Sequence, residues 1–164
     1  MVKIKFILII FLMLIVEVSF VSSFPIPFIA IKPDFLLIIT CYATLLFGFS
    51  TGMLVGVFSG FLSDSFSGGA VGSMAASSAV CVLLIVITRN HLYKEHLTTK
   101  FAVIWISSYV FAYISTNITN IVQGISRMPI INMEFIAFSF VNLAFSCILI
   151  PLLDMFFKEE VDKG

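Results

Sequence analysis

Apolar residues run along this chain in six long blocks, separated by short stretches with turn chemistry. The blocks predict six membrane-spanning helices, at about residues 4–21, 34–47, 50–62, 73–88, 101–121 and 134–157. Pro25, Pro27 and Pro33 interrupt the first connection. Ser67-Gly68-Gly69 breaks the third block from the fourth, and Met128-Pro129 the fifth from the sixth, which itself contains Pro151. The weakest break is Gly48-Phe49-Ser50-Thr51-Gly52, a tight turn or part of one continuous helix. A single helix from Asp34 to Leu62 would be about 43 Å long, against a hydrocarbon core of ~30 Å. Two short, tilted helices in a hairpin are therefore expected.

Composition supports lipid as the main solvent. Of 164 residues, 60% are hydrophobic and 11% charged, and mean hydropathy is +1.16. A soluble domain carries roughly a quarter charged residues. Formal net charge is zero, so no basic surface points to nucleic acid. The position of the few charges is more informative. With a cytoplasmic N-terminus and six spans, Lys3, Lys5, Arg89, Lys94, Lys100, Lys158 and Lys163 lie inside, and Lys32 and Arg127 outside. Five spans would spoil that bias. Both termini are thus expected in the cytoplasm, with Arg89 to His96 as the main cytoplasmic loop. The first block, with its basic start, is longer than a signal h-region of about 7–15 residues, and no A-x-A-like site follows. It is expected to remain as a span.

The strongest local pattern is Gly48, Gly52, Gly56, Gly60 and Asp64, each four residues from the last. Small residues at this spacing let helix backbones approach closely. A four-residue step overshoots the helical turn by about 40°, so the stripe winds round its helix. It predicts close packing within the chain, against a fourth span rich in small residues (Gly72, Ser73, Ala75, Ala76, Ser78, Ala79), or a seam between molecules.

Acids near spans are costly and draw attention. Asp64 ends the third span ahead of a glycine-rich turn, where it caps backbone amides or serves a function. Asp34 follows Pro33 and is placed to cap the second span. Glu17 is the one acid inside an otherwise apolar span. Its expected polar partners are Asn117, Asn120 and Gln123 in the fifth span and Asn142 in the sixth; interhelical glue and a substrate or partner contact both remain open. Cys41, Cys81 and Cys147 stand alone in apolar segments and read as packing residues. His91 and His96 form no metal-ligand pattern, and Trp105 and Tyr109 suit an interface belt. No catalytic constellation, metal set or phosphate loop appears, so no enzyme activity and no cofactor are expected.

The stretch Pro33-Asp34, Tyr42, Gly48, Gly52, Gly56, Gly60, Asp64, then Ser67-Gly68 and Gly72 resembles the core of the bacterial rod shape-determining protein MreD family. It covers about a quarter of the chain, and departs at Ala70, where the family pattern has a proline before the closing glycine. The resemblance implies a fold similar to the six-helix substrate-binding subunits of energy-coupling-factor transporters. It implies a non-enzymatic scaffold of the cell-elongation machinery in the cytoplasmic (inner) membrane, organising lateral peptidoglycan synthesis. The implied partners are MreC, with MreB and the RodA–transpeptidase synthase beyond it. Size and span count fit equally a vitamin-type transporter subunit, whose outer pocket Glu17, Asp64, Asn117 and Asn120 would line.

Overall fold

The structure, a computed structural model, describes residues 8–17, 32–67, 72–89, 97–124 and 133–161. These residues form six helices: α1 (Leu8–Glu17), α2 (Phe35–Phe47), α3 (Phe49–Ser67), α4 (Ser73–Arg89), α5 (Leu97–Val122) and α6 (Met133–Val161). Two of them, over Thr98–Val122 and Met133–Phe157, are long and apolar enough to cross a membrane alone.

Helix α2 is the centre. Every residue from Phe35 to Leu45 is buried, as expected of a helix that is apolar on all sides. It has 13 residues and is about 20 Å long. Asp34 starts it: the backbone there is extended, and Oδ1 accepts a 2.8 Å hydrogen bond from the Leu37 amide. Gly48 ends it. At φ 83° this residue takes a left-handed conformation that a side chain would disfavour, and its amide donates to the Thr44 carbonyl at 3.0 Å. One residue thus reverses the chain, and α3 begins at once. The doubtful break in the hydropathy pattern is a hairpin turn.

Helices α3, α4, α5 and α6 surround α2. Helix α3 runs antiparallel to it, since Gly52 meets Thr44 and Gly56 meets Thr40. Helix α4 runs antiparallel to α3, with Gly60 against Ala75 and Asp64 against Ser73. Helices α5 and α6 are likewise antiparallel, from Lys100–Asp154 at one end to Tyr113–Phe135 at the other. Ile10, Met13 and Leu14 of α1 join the same core.

Three helices extend by several residues beyond the predicted apolar blocks. Helix α3 continues past Leu62 through Asp64 to Ser67, α5 begins at Leu97 rather than Phe101, and α6 continues past Phe157 to Val161. Hydropathy marks where a helix suits lipid; backbone hydrogen bonding continues through the polar turns at its ends. These extensions place Asp64 and Lys100 on helices.

Polarity is distributed inside out. Thr40, Thr44, Ser59, Ser77, Ser108, Asn142 and Ser146 are buried. Large apolar side chains face outward instead: Leu8, Phe11 and Ile15 on α1, Ile87 on α4, and Ile148 and Met155 on α6, the last 79% exposed. Soluble monomers rarely present contiguous apolar surface on this scale.

Candidate functional site

The polar side chains gather in three places. The first is a cavity of about 300 Å³ at the N-terminal end of α2. Glu17, Lys32, Asp34 and Ser63 supply its polar lining, and Leu14, Phe66, Met74 and Phe138 much of the rest. Asp34 is there because it caps α2. Its own amide donates to Asn142 Oδ1 at 2.8 Å, and Asn142 Nδ2 reaches Ser108 Oγ at 3.1 Å. This chain of bonds ties α2, α5 and α6 together at that level. The Glu17 carboxylate, at the end of α1, lies within hydrogen-bonding reach of the Leu36 and Phe35 amides. Its Oε2 atom is buried and has no hydrogen-bond partner.

The second is the contact of α3 with its neighbours. A methyl group at Gly52 would collide with Thr44 Oγ1, and one at Gly56 would lie 3.0 Å from Thr40 Cγ2 and 3.2 Å from Val82 Cγ2. One at Gly60 would strike the Ala75 backbone, with the amide nitrogen at 2.6 Å. The stripe therefore turns from α2 at Gly52 to α4 at Gly60, in keeping with its 40° per step. Ser78 Oγ donates to the Gly56 carbonyl at 2.7 Å, and Thr40 Oγ1 lies 3.2 Å from Ser59 Oγ. Ala76, on the small-residue face of the fourth span, is exposed.

Asp64 continues this line and is engaged by backbone. Its carboxylate accepts from the amides of Gly72, Met74 and Ala75 at 2.9, 3.1 and 3.3 Å, and Ser73 Oγ lies at 3.3 Å. It holds the start of α4 from the end of α3, with its charge favourably placed at a helix N-terminus. Gly72, at φ 91°, makes the turn into α4. Gly68 lies outside the described residues.

The third place is the opposite end of α2. Lys100 Nζ donates to both oxygens of Asp154 at 2.6 and 2.7 Å, and Tyr42 Oη donates to Asp154 Oδ1 at 2.8 Å. The ammonium also lies 5.4 Å from the Tyr42 ring centroid. The Lys100 side chain is 7% exposed and Asp154 32%. Phe157 packs on Tyr42 and Phe47 beside them. In the sequence, Tyr42 stands out only through the family pattern and Lys100 only as a positive charge. The usable signal was an opposite-charge pair at matching ends of two apolar blocks, Lys100 just before the fifth and Asp154 near the end of the sixth.

The predicted partners of Glu17 divide. Glu17 meets Asp34 at the cavity, not the asparagines. Asn142 bonds to the Asp34 amide, and Asn117 turns onto its own helix, donating to the Tyr113 carbonyl at 2.7 Å. Asn120 is half-buried on α5. Glu17, Asp64, Asn117 and Asn120 do not line one pocket among the described residues. The expected loop from Arg89 to His96 falls almost wholly outside them.

A family model, described as the rod shape-determining protein MreD, matches residues 2–159. Comparison with curated proteins and with solved structures finds no match in either.

Proposed function

The chain belongs to the rod shape-determining protein MreD family, and from that premise we propose that it is a non-enzymatic membrane scaffold of the cell-elongation machinery. It spans the cytoplasmic membrane six times with both termini inside, binds MreC through its lipid-facing helix surfaces, and so helps to organise lateral peptidoglycan synthesis with MreB and the RodA–transpeptidase pair. The observation that carries this reading is the family match over nearly the whole chain. Rod shape determination is the family's role; the partners and the topology are the proposed steps beyond it.

Physical features support the membrane assignment. The exposed faces of α1, α4 and α6 are apolar, while hydroxyls, Asn142 and the Lys100–Asp154 pair lie inside. That is the arrangement lipid favours, because each buried polar group must find its partner within the protein. Helix α2 is too short to cross ~30 Å of hydrocarbon alone, and the longer α5 and α6 beside it would carry the span. With seven of the nine lysines and arginines inside, the Lys100–Asp154–Tyr42 cluster sits at the cytoplasmic end and the cavity, lined by Lys32, opens toward the outer side.

The test is depletion in a rod-shaped host, with capture of MreC on the tagged chain. Rounding of cells and co-capture of MreC are expected. Unchanged shape together with no capture would overturn the scaffold reading. One observation favours the transporter-subunit alternative, namely the cavity with two carboxylates. Genes for a transporter ATPase beside this one, rather than wall-elongation genes, would shift the balance to it.

A further inference from the structure

The outward faces of the helices carry apolar bands of unequal height. On α6, Ile136 is half-buried, and Phe140, Ile148, Leu152, Met155 and Phe156 are exposed. From Ile136 to Phe156 the helix rises about 30 Å, the depth of a common hydrocarbon core. Glu134, an exposed acid, stands just before that band. On α4 the outward apolar side chains are Ala76, Val80, Leu83, Leu84 and Ile87, a rise of only about 17 Å. Arg89 follows at one end. At the other end stand Gly72 and Ser73, with the Asp64 carboxylate bonded to the amides there.

The helix beside α4 is short as well. Helix α3 has 19 residues and is about 28 Å long. Its outward face is apolar at Leu54, Phe58 and Phe61, and the exposed hydroxyls of Ser50 and Ser65 narrow it toward both ends. Helix α3 pairs with α4, and α5 with α6, so the two heights belong to two flanks of the bundle.

Tilt cannot equalise them. Tilting shortens the height that a helix covers and never lengthens it. Helix α6 can therefore suit a core of ~30 Å or a thinner one. Helix α4, even upright, leaves roughly 10 Å of such a core without an outward apolar side chain. A thick core would also draw Arg89 toward hydrocarbon, where an ionised side chain is costly. The cheaper adjustment is in the lipid, which can thin locally.

We propose that the α3–α4 flank takes short-chain lipid and thins the bilayer beside it, while the α5–α6 flank meets a core of ordinary thickness. The partner of this face is thus a thinned patch of bilayer. The proposal rests on the membrane reading above, but not on the scaffold role or on any protein partner.

The test is tryptophan quenching in phosphatidylcholine vesicles that hold the full chain. Dibrominated lipid with eighteen-carbon chains is the quencher. Unbrominated lipids with fourteen, eighteen and twenty-two carbons per chain compete with it. Trp105 is the one tryptophan and packs on Phe140 at 5.8 Å, so it reports on the α5–α6 flank. Trp105→Phe combined with Leu84→Trp moves the reporter to α4. Leu84 lies five residues from Arg89 and Trp105 five from Lys100, which matches the two reporters in depth. At position 84 the fourteen-carbon lipid is expected to displace the quencher roughly threefold better than the twenty-two-carbon lipid. At Trp105 the eighteen-carbon lipid is expected to compete best. The same ranking at both positions would overturn the proposal. Leu83→Trp, at a side chain 44% exposed, is the second α4 reporter should the first variant fold poorly. Absence of quenching at Trp105 in every vesicle would overturn the membrane reading, and the proposal with it.

Discussion

Gly60→Ala adds one methyl group where α3 and α4 are closest, and its consequence can be worked from the contacts. The new carbon would lie 2.6 Å from the Ala75 nitrogen and 2.9 Å from the Met74 carbonyl carbon. Ordinary contact begins near 3.4 Å, and the Ala75 Cα is closer still than its nitrogen, so α4 must withdraw by about 1 Å. These are backbone atoms, and no rotamer change relieves them. The same withdrawal stretches the Ala75 amide away from Asp64, where the bond is already 3.3 Å long. Overpacking of this kind costs about 1–3 kcal/mol, and the upper end applies. The better helix propensity of alanine returns about 1 kcal/mol. The net loss is about 2 kcal/mol, or roughly 4–8 °C in melting temperature for a chain of this size. Gly56→Ala is the control. Its methyl group would meet side-chain carbons of Thr40 and Val82 at 3.0 and 3.2 Å, which can shift slightly, so its melting temperature should stay within about 2 °C of the parent. Thermal melting of both variants in one detergent decides the matter. A Gly60→Ala protein as stable as the parent, or an equal loss in Gly56→Ala, would refute the account of the stripe as a close backbone contact.

Three further outcomes are expected. Gly56→Leu overfills the α2–α3–α4 contact and should lower the amount of folded protein in the membrane, measured by fluorescence-detected gel filtration; normal abundance with loss of MreC capture would make the stripe an interface between molecules instead. Asp64→Ala removes the acceptor for three amides, of Gly72 in the turn and of Met74 and Ala75 in α4, and should cost about 2 kcal/mol of stability, with Asp64→Asn intermediate in the same melting series. Asp154→Ala leaves the Lys100 ammonium buried and unpaired, at a cost of about 3 kcal/mol; adding Lys100→Met should restore most of it, because replacing both members of a buried pair is far cheaper than removing one. A double variant that melts no higher than the single one would count against that ion pair as the source of the loss.

Much of the helical layout was legible because it rests on local physics. Pro33-Asp34 announces the start of α2, and the structure adds only the 2.8 Å bond that makes it so. Gly48 marks the end, although hydropathy alone left a hairpin and a continuous helix both open; the positive φ at that residue decides between them. The glycine spacing foretold a winding contact, and the structure shows it passing from α2 to α4. The partner of Glu17 was not legible. The asparagines on α5 were credible by residue type, but depth and rotation about the helix axes put Asp34 beside Glu17 and turned Asn117 onto its own backbone.

The sequence by itself determined the all-helical class, the number of helices and roughly where each one lies. Those follow from apolar content, prolines, glycines and caps, all of which act within a few residues. Only the tertiary structure decided which polar groups face one another. It joined Tyr42, Lys100 and Asp154 from three helices at one end of α2, and Glu17, Lys32 and Asp34 round a cavity at the other. The reason is geometric: a pairing of two side chains depends on the depth and rotation of two helices at once, and neither is written in the local pattern of either helix.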